Sequence, residues 1–364
     1  MDPRIREHAQ IVVDHSVGIE AGDEVVIDAH PVADDLVTAL VEACAERGAH
    51  PLVIQERLGK RFLRSYLRNF EGAFETPEHV RALYEAMDAY IAIRGGANAT
   101  ETADVDPDRR SAYDRAMQPL LEERLGKQWC LTQYPSDSQA QLAGMSTEAY
   151  ETFVWDAVQQ DWAAVHERQE QLVDVLEAGD EVHLQVGEET DLRLSITDNP
   201  AQNDSGEHNL PGGEVFTAPI PDSVEGRVHF DKPLYHQGRE VTDVRLEFED
   251  GEVVEHSAGK NESVLTEVLE TDPGARRIGE LGIGTNRDID RFTYNMLFDE
   301  KMGETVHLAV GRAYADCVAE ANERNDSAVH VDMIADTSED ALIEVDGDVI
   351  QRDGTFWYED GFEG

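Results

Sequence analysis

The spacing of apolar residues changes once along this chain of 364 residues, near residue 160, and that change restricts the folds open to it. Before that point, short apolar runs stand between helix-like stretches: Val25, Val26 and Ile27; Leu52, Val53 and Ile54; residues 90–93; and a run at 129–132. One intervening stretch places Leu36, Leu40, Val41 and Cys44 at helical spacing and stops at Gly48, a residue suited to a helix C-cap. Others are expected at 5–17, 61–70, 77–87 and 107–125. Short apolar strands alternating with helices build a parallel sheet covered on both faces. After a helix expected at 163–178 and closed by Gly179, strict alternation takes over at 182–186, 192–196 and 244–248, followed by a short run at 253–254. Tight turns at Glu249-Asp250-Gly251 and Asp346-Gly347-Asp348 separate such strands, the pattern of a largely antiparallel fold. The length exceeds what one ordinary core holds. We therefore expect an α/β N-terminal domain with a mainly parallel sheet over residues 1–162, and a β-rich α+β C-terminal domain over residues 163–364.

The chain carries 77 Asp and Glu against 30 Lys and Arg, a formal net charge of -47, and only five of the basic residues are lysines, at 60, 127, 232, 260 and 301. The acids are spread along the whole chain. Disorder is the rival reading, and the periodic apolar segments argue against it, as does a hydrophobic content of 40%. An acidic surface that avoids lysine suits molar salt, where screening shrinks to about 3 Å and self-repulsion becomes tolerable. Such a surface argues against a nucleic-acid partner. No apolar run approaches membrane-spanning length and the N-terminus has no signal-peptide pattern, so a cytoplasmic protein in a high-salt cytosol is expected. Cys44, Cys130 and Cys317 are far apart and odd in number, which fits a reducing compartment and forms no metal-binding pair. With so many carboxylates, any chosen spacing of acids arises by chance. Histidines and apolar context must single out the functional ones.

Several motifs fall away. Gly279-x-x-Gly282-x-Gly284 has the spacing of a dinucleotide loop reversed and lies in the β-rich half. Arg94-Gly95-Gly96 after the third strand reads as a plain turn, with a ligand loop as the alternative. No phosphate-binding loop, nucleophile elbow or H-E-x-x-H helix motif is present.

Two segments carry chemistry. Ala328-Val329-His330-Val331-Asp332-Met333-Ile334 alternates strictly, so on a strand His330 and Asp332 share one face while Val329, Val331 and Met333 take the other. An imidazole and a carboxylate so placed can reach one metal centre, and they can equally be the polar outer face of an edge strand. Thr305-Val306-His307-Leu308-Ala309-Val310-Gly311 repeats the logic, with small Ala309 leaving room beside His307 and with Tyr314 shortly after. A lone histidine of this kind also occurs as a structural residue. Acids stand nearby in the sequence: Glu214 after the turn residues Pro211, Gly212 and Gly213, Glu280 in an unusually apolar stretch, and Glu300 in Leu297-Phe298-Asp299-Glu300-Lys301. Taken alone, each reads as a solvated carboxylate.

In order, the runs Pro211-Gly212-Gly213-Glu214-Val215-Phe216-Thr217-Ala218-Pro219, Gly274-Ala275-Arg276-Arg277-Ile278-Gly279-Glu280, Phe298-Asp299-Glu300-Lys301, His307-Leu308-Ala309-Val310-Gly311 and Ser327-Ala328-Val329-His330-Val331-Asp332 resemble the aminopeptidase T / aminopeptidase S family of metallo-aminopeptidases, here with a haloarchaeal type of surface. The resemblance covers the whole chain, diffusely in the N-terminal half. It implies that the C-terminal domain is catalytic and binds two divalent metal ions, with Glu214, Glu280, Glu300, His307, His330 and Asp332 as ligands. Glu300 matches through a loop of different length. Tyr314 matches an active-site tyrosine, and Glu280 counts with it among the catalytic residues. Gly213 departs from the pattern, since many relatives carry a second Glu there. The resemblance further implies a homodimer acting on peptides with a free N-terminus, releasing N-terminal amino acids through a two-metal-activated hydroxide. Three Glu and one Asp match two divalent cations in charge, and the mixed oxygen and nitrogen set suits zinc, cobalt, manganese or magnesium. Alternatives are another two-metal hydrolase, an amidase or phosphoesterase, and a non-catalytic binding protein.

Overall fold

A computed structural model describes residues 1–55, 59–236 and 239–363. The chain divides into two compact units, one of Met1–Gln160 with Gly206–Gly212 and one of Asp161–Ser205 with Gly213–Gly364.

The first unit is α/β. Its sheet runs in the order His50–Gln55, Glu24–Ala29, Ala89–Arg94, Gln128–Gln133 and Asn209–Leu210, with every pairing parallel. Interior strands such as Glu24–Ala29 and Ala89–Arg94 are buried along nearly their whole length, as continuous apolar runs require. The edge strand His50–Gln55 leaves Leu52 and Val53 exposed at 46% and 41%. The helix Asp34–Arg47 buries Leu36, Ala39, Leu40, Ala43 and Cys44 and ends on Gly48, whose φ of +80° closes it as a left-handed cap. The first helix is capped by Asp2, which accepts from Arg4 N at 2.9 Å, and its last turn, Val12–Ser16, widens into π-helical bonding. Among the described residues no helix is long and apolar enough to cross a membrane.

The second unit opens with the helix Trp162–Ala178 and is otherwise mainly antiparallel. An eight-stranded sheet runs Glu252–Ser257, Val244–Glu249, Glu225–Phe230, Thr190–Ser195, Glu181–Val186, Ala341–Val345, Asp348–Arg352, Thr355–Phe356. A five-stranded sheet runs His330–Asp336, Thr305–Gly311, Ile278–Gly284, Glu214–Thr217, Gln202–Asp204. One apolar cluster joins them, fed by Leu192, Leu194, Phe230, Leu246 and Phe248 from the large sheet and Leu281, Ile283, Val306, Leu308, Val331 and Met333 from the small one. The alternation read at 305–311 and 328–334 is thereby realised, with the apolar residues in this core and the histidines on the other face. That other face is covered too, because all seven residues of both Ile278–Gly284 and Thr305–Gly311 are buried.

Candidate metal centre

Five of the six residues singled out as ligands sit on four adjacent strands of the small sheet: Glu214, Glu280, His307, and the pair His330 and Asp332. Antiparallel register brings them together. Gly284 faces Glu214, Gly282 faces His307, Ala309 lies between Glu280 and Asp332, and Gly311 faces His330. Glu280 stands at the centre with its two oxygens divided. Oε1 is 3.1 Å from His307 Nε2, and Oε2 is 3.7 Å from His330 Nε2. His330 Nε2 is also 3.3 Å from Asp332 Oδ1, and His307 Nε2 is 3.6 Å from Glu214 Oε2. One ligand atom each from Glu280, His307 and Asp332 lies within 4.8 Å of the others.

Small residues make the space. A Cβ on Gly282 would stand 2.0 Å from His307 Cε1 and Nε2, so the imidazole occupies the volume that any side chain there would need. His307 Nδ1 has no hydrogen-bond partner among the described residues. Its ring is therefore held by this close packing rather than by the outer hydrogen bond that commonly orients a metal-binding histidine. The glycines of the reversed dinucleotide pattern thus act across strands, not along the chain. Gly213, where a second Glu was missing, has φ +113°, and its Cβ position falls 2.5 Å from Asn286 Cβ, leaving no room for a side chain.

The histidines stand in a field of negative charge. His330 Nδ1 lies 2.8 Å from the Arg312 carbonyl, which can only accept, so Nδ1 carries the hydrogen and Nε2 turns to the acids. Burial pushes His330 down, but Asp332 and Glu280 outweigh it and carry it to about 10. Burial likewise opposes His307, which Glu280, Glu214 and Asp332 carry to about 9. Burial raises Glu214 beyond what Lys301 and His307 can pull back. Among the described residues Glu214 Oε2 and Glu280 Oε2 are buried without a hydrogen-bond donor. Buried acceptors without donors, beside imidazole nitrogens whose opposite atom is already engaged or enclosed, are what a divalent cation would satisfy. The residues present fit a metal.

Glu300 reaches the group through Lys301, a residue the sequence reading passed over. Lys301 is fully buried, and its Nζ donates to Glu214 Oε1 at 2.9 Å and to Glu300 Oε1, with Asp204 Oδ2 at 3.3 Å. The neighbouring Asp299 is buried as well and accepts from Thr293 N, Thr293 Oγ1 and Asn295 N, which ties down the loop before it. Tyr314 borders the site, with its ring 4.9 Å from that of His330 and 6.2 Å from that of Phe216. It is 49% exposed. Partial burial together with the charges of Glu280, Asp332, Glu300 and Glu214 raises its pKa, so the phenol keeps its proton.

Comparison with known proteins places this geometry. The chain is 29% identical to aminopeptidase T of Thermus thermophilus, covering 95% of this chain and 94% of that protein. It is 26% identical to aminopeptidase AmpS of Bacillus subtilis, covering 91% and 92%. The structure of wild-type AmpT from Thermus thermophilus superposes with a TM-score of 0.85 at 27% identity, over 97% of this chain and 99% of that one. A 2,5-dihydroxypyridine dioxygenase from Pseudomonas putida also superposes, with a TM-score of 0.63 at 14% identity over 98% and 97%, a likeness of fold alone. Since one scaffold carries two chemistries, the fold cannot decide between them. The family model of the thermophilic metalloproteases, M29, matches residues 1–356, and the chain belongs to that family.

Proposed function

We propose that this metalloprotease is an aminopeptidase that removes residues from the free N-terminus of peptides at a centre of two divalent cations. The observation that carries the reading is the divided carboxylate of Glu280, whose oxygens face two different imidazoles at 3.1 and 3.7 Å. In this reading Glu280 is shared by both positions, His307 and Glu214 complete one, and His330 and Asp332 complete the other, with Glu300 beside the first. Charge supports the count: Asp204, Glu214, Glu280, Glu300 and Asp332 bring five negative charges and Lys301 one positive, leaving four for two divalent ions. The donor set admits zinc, cobalt, manganese or magnesium.

Bound cations would supply Lewis acidity to the scissile carbonyl and acidify a water molecule. The protein's own groups do the rest. The Tyr314 phenol, kept protonated by the acids around it, donates a hydrogen bond to the oxygen that becomes negative as the carbonyl is attacked. The surplus of carboxylates attracts the substrate's α-ammonium, which favours an unblocked N-terminus. The homodimer expected from the resemblance, a cytoplasmic location and operation in high salt belong to the same reading, the last supported by the net charge of -47. Replacing His330 with Ala, at matched metal content, should lower release of a chromophore from an aminoacyl substrate at least a hundredfold. Full activity in that variant would remove His330 from the centre.

A further inference from the structure

Lys301 is fully buried in a place where a divalent cation is expected, and the roles above do not use it. A buried ammonium next to a cation site repels the ion the site would hold, so its presence calls for a function. Three carboxylates surround Nζ: Glu214 Oε1 at 2.9 Å, Glu300 Oε1, and Asp204 Oδ2 at 3.3 Å. Two of the ammonium's three N–H groups are given to Glu214 and Glu300, and Asp204 faces it as an ion pair. Glu214 and Glu300 therefore each surrender one oxygen. For Glu214 the remaining oxygen, Oε2, lacks a donor among the described residues and points at His307 Nε2 at 3.6 Å. On the other side of Glu280, His330 and Asp332 pair with each other at 3.3 Å, and among the described residues no ion pair joins Lys301 to them.

We propose that Lys301 is a positioning residue that makes the two cation positions unequal. It takes one oxygen from each of Glu214 and Glu300 and adds a fixed positive charge on that side. The position at His307 and Glu214 then holds its divalent ion less tightly than the position at His330, Asp332 and Glu280. Affinity for hard cations follows ligand charge and the number of oxygens offered, and Lys301 takes oxygens on that side only, by hydrogen bonds to Glu214 and Glu300. Asp204, which is not among the ligands, tempers that charge. The inference rests on the two-cation reading.

The test is equilibrium dialysis of the full-length chain with Co2+ alone, at constant KCl. The wild type should bind two ions per chain in two classes. In Lys301→Met the weaker class should tighten at least tenfold while the stronger class changes by less than threefold. In Asp204→Asn, which removes the negative charge of Lys301's non-ligand partner while keeping its shape and an acceptor oxygen, the weaker class should loosen by a similar factor. The opposite signs of the two variants separate the proposal from a structural role, since a lysine that only fills the core would on removal weaken both classes together. Equal weakening of both classes in Lys301→Met, or an unchanged gap between them, overturns the proposal. Should Lys301→Met fail to fold, Asp204→Asn decides alone, and an unchanged or tightened weak class there overturns it. A wild-type isotherm of one ion per chain overturns the two-cation reading itself, and this inference with it.

Discussion

At the scale of single residues, Gly282 makes a demand that falls on the site itself, because the His307 ring fills the space its side chain would take. Gly282→Ala must displace the ring, so we expect a stability loss of about 1–3 kcal/mol from overpacking and an activity loss of about a hundredfold from a misplaced imidazole. Urea unfolding and substrate turnover measure the two, and normal activity would mean that His307 tolerates the shift. Tyr314→Phe keeps the ring and loses only the hydroxyl. Its kcat should fall about 100- to 1000-fold while KM stays within about twofold, and a change confined to KM would assign Tyr314 to substrate binding instead. Strand alternation sets His307, His330 and Asp332 opposite apolar neighbours, and by itself leaves open whether they hold a metal or form a polar face. Glu214, Glu280 and Glu300 are singled out only by the ordered runs, since 77 acids make any acidic spacing commonplace. Lys301 stood inside one of those runs without being weighed, and the usable signal was its scarcity, one lysine of five in a chain that avoids them. Gly282 escaped because its constraint acts across strands, and linear spacing does not record a cross-strand contact.

At the scale of elements, some helices match their expected bounds, whereas Thr147–Val158 was not expected although it buries Tyr150, Phe153, Val154 and Trp155. The stretch expected at 107–125 is the helix Pro107–Leu125, and that at 163–178 is Trp162–Ala178. Gln202–Asp204 and Asn209–Leu210 leave no signal in the sequence, because strands of three and two residues are too short to show a period. Gln202–Asp204 matters most, since it brings Asp204 beside Lys301. The first helix carries an element-scale prediction. His8 is wholly buried, its Nε2 lies 2.7 Å from Thr132 Oγ1, and that hydroxyl donates to Leu210 O at 2.8 Å. Thr132 must therefore accept from His8 Nε2–H, buried Nδ1 has no partner among the described residues for a second hydrogen, and burial lowers the pKa to about 3, so the imidazole is neutral. The folded value lies below the unfolded one of about 6.5, so the stabilisation is complete above pH 6.5 and is lost as pH falls toward 3, by up to about 1.4 kcal/mol per unit. His8→Gln can keep the hydrogen bond without titrating. Its unfolding free energy between pH 6.5 and 5 should fall less steeply than that of the wild type, and parallel slopes would contradict the account.

At the scale of the whole molecule, the change of pattern near residue 160 was legible as a parallel α/β sheet followed by antiparallel strands, because one keeps strands buried on both faces and the other alternates. The net charge of -47 predicts that stability depends on salt throughout. Lowering KCl from about 2 M to about 0.1 M lengthens the screening distance from a few ångströms to about 10 Å and should depress Tm by about 10 °C or more. A Tm flat in salt would remove the argument for a high-salt setting. The central claim, a metal-dependent enzyme that works from a free N-terminus, is tested most directly by mass spectrometry of a peptide offered in free and N-acetylated forms to the chelated protein before and after divalent metal is restored. The account predicts no cleavage without metal, stepwise loss of N-terminal residues from the free peptide once metal returns, and an intact acetylated peptide throughout. Cleavage that survives chelation, or attack on the acetylated peptide at the same rate, would contradict it.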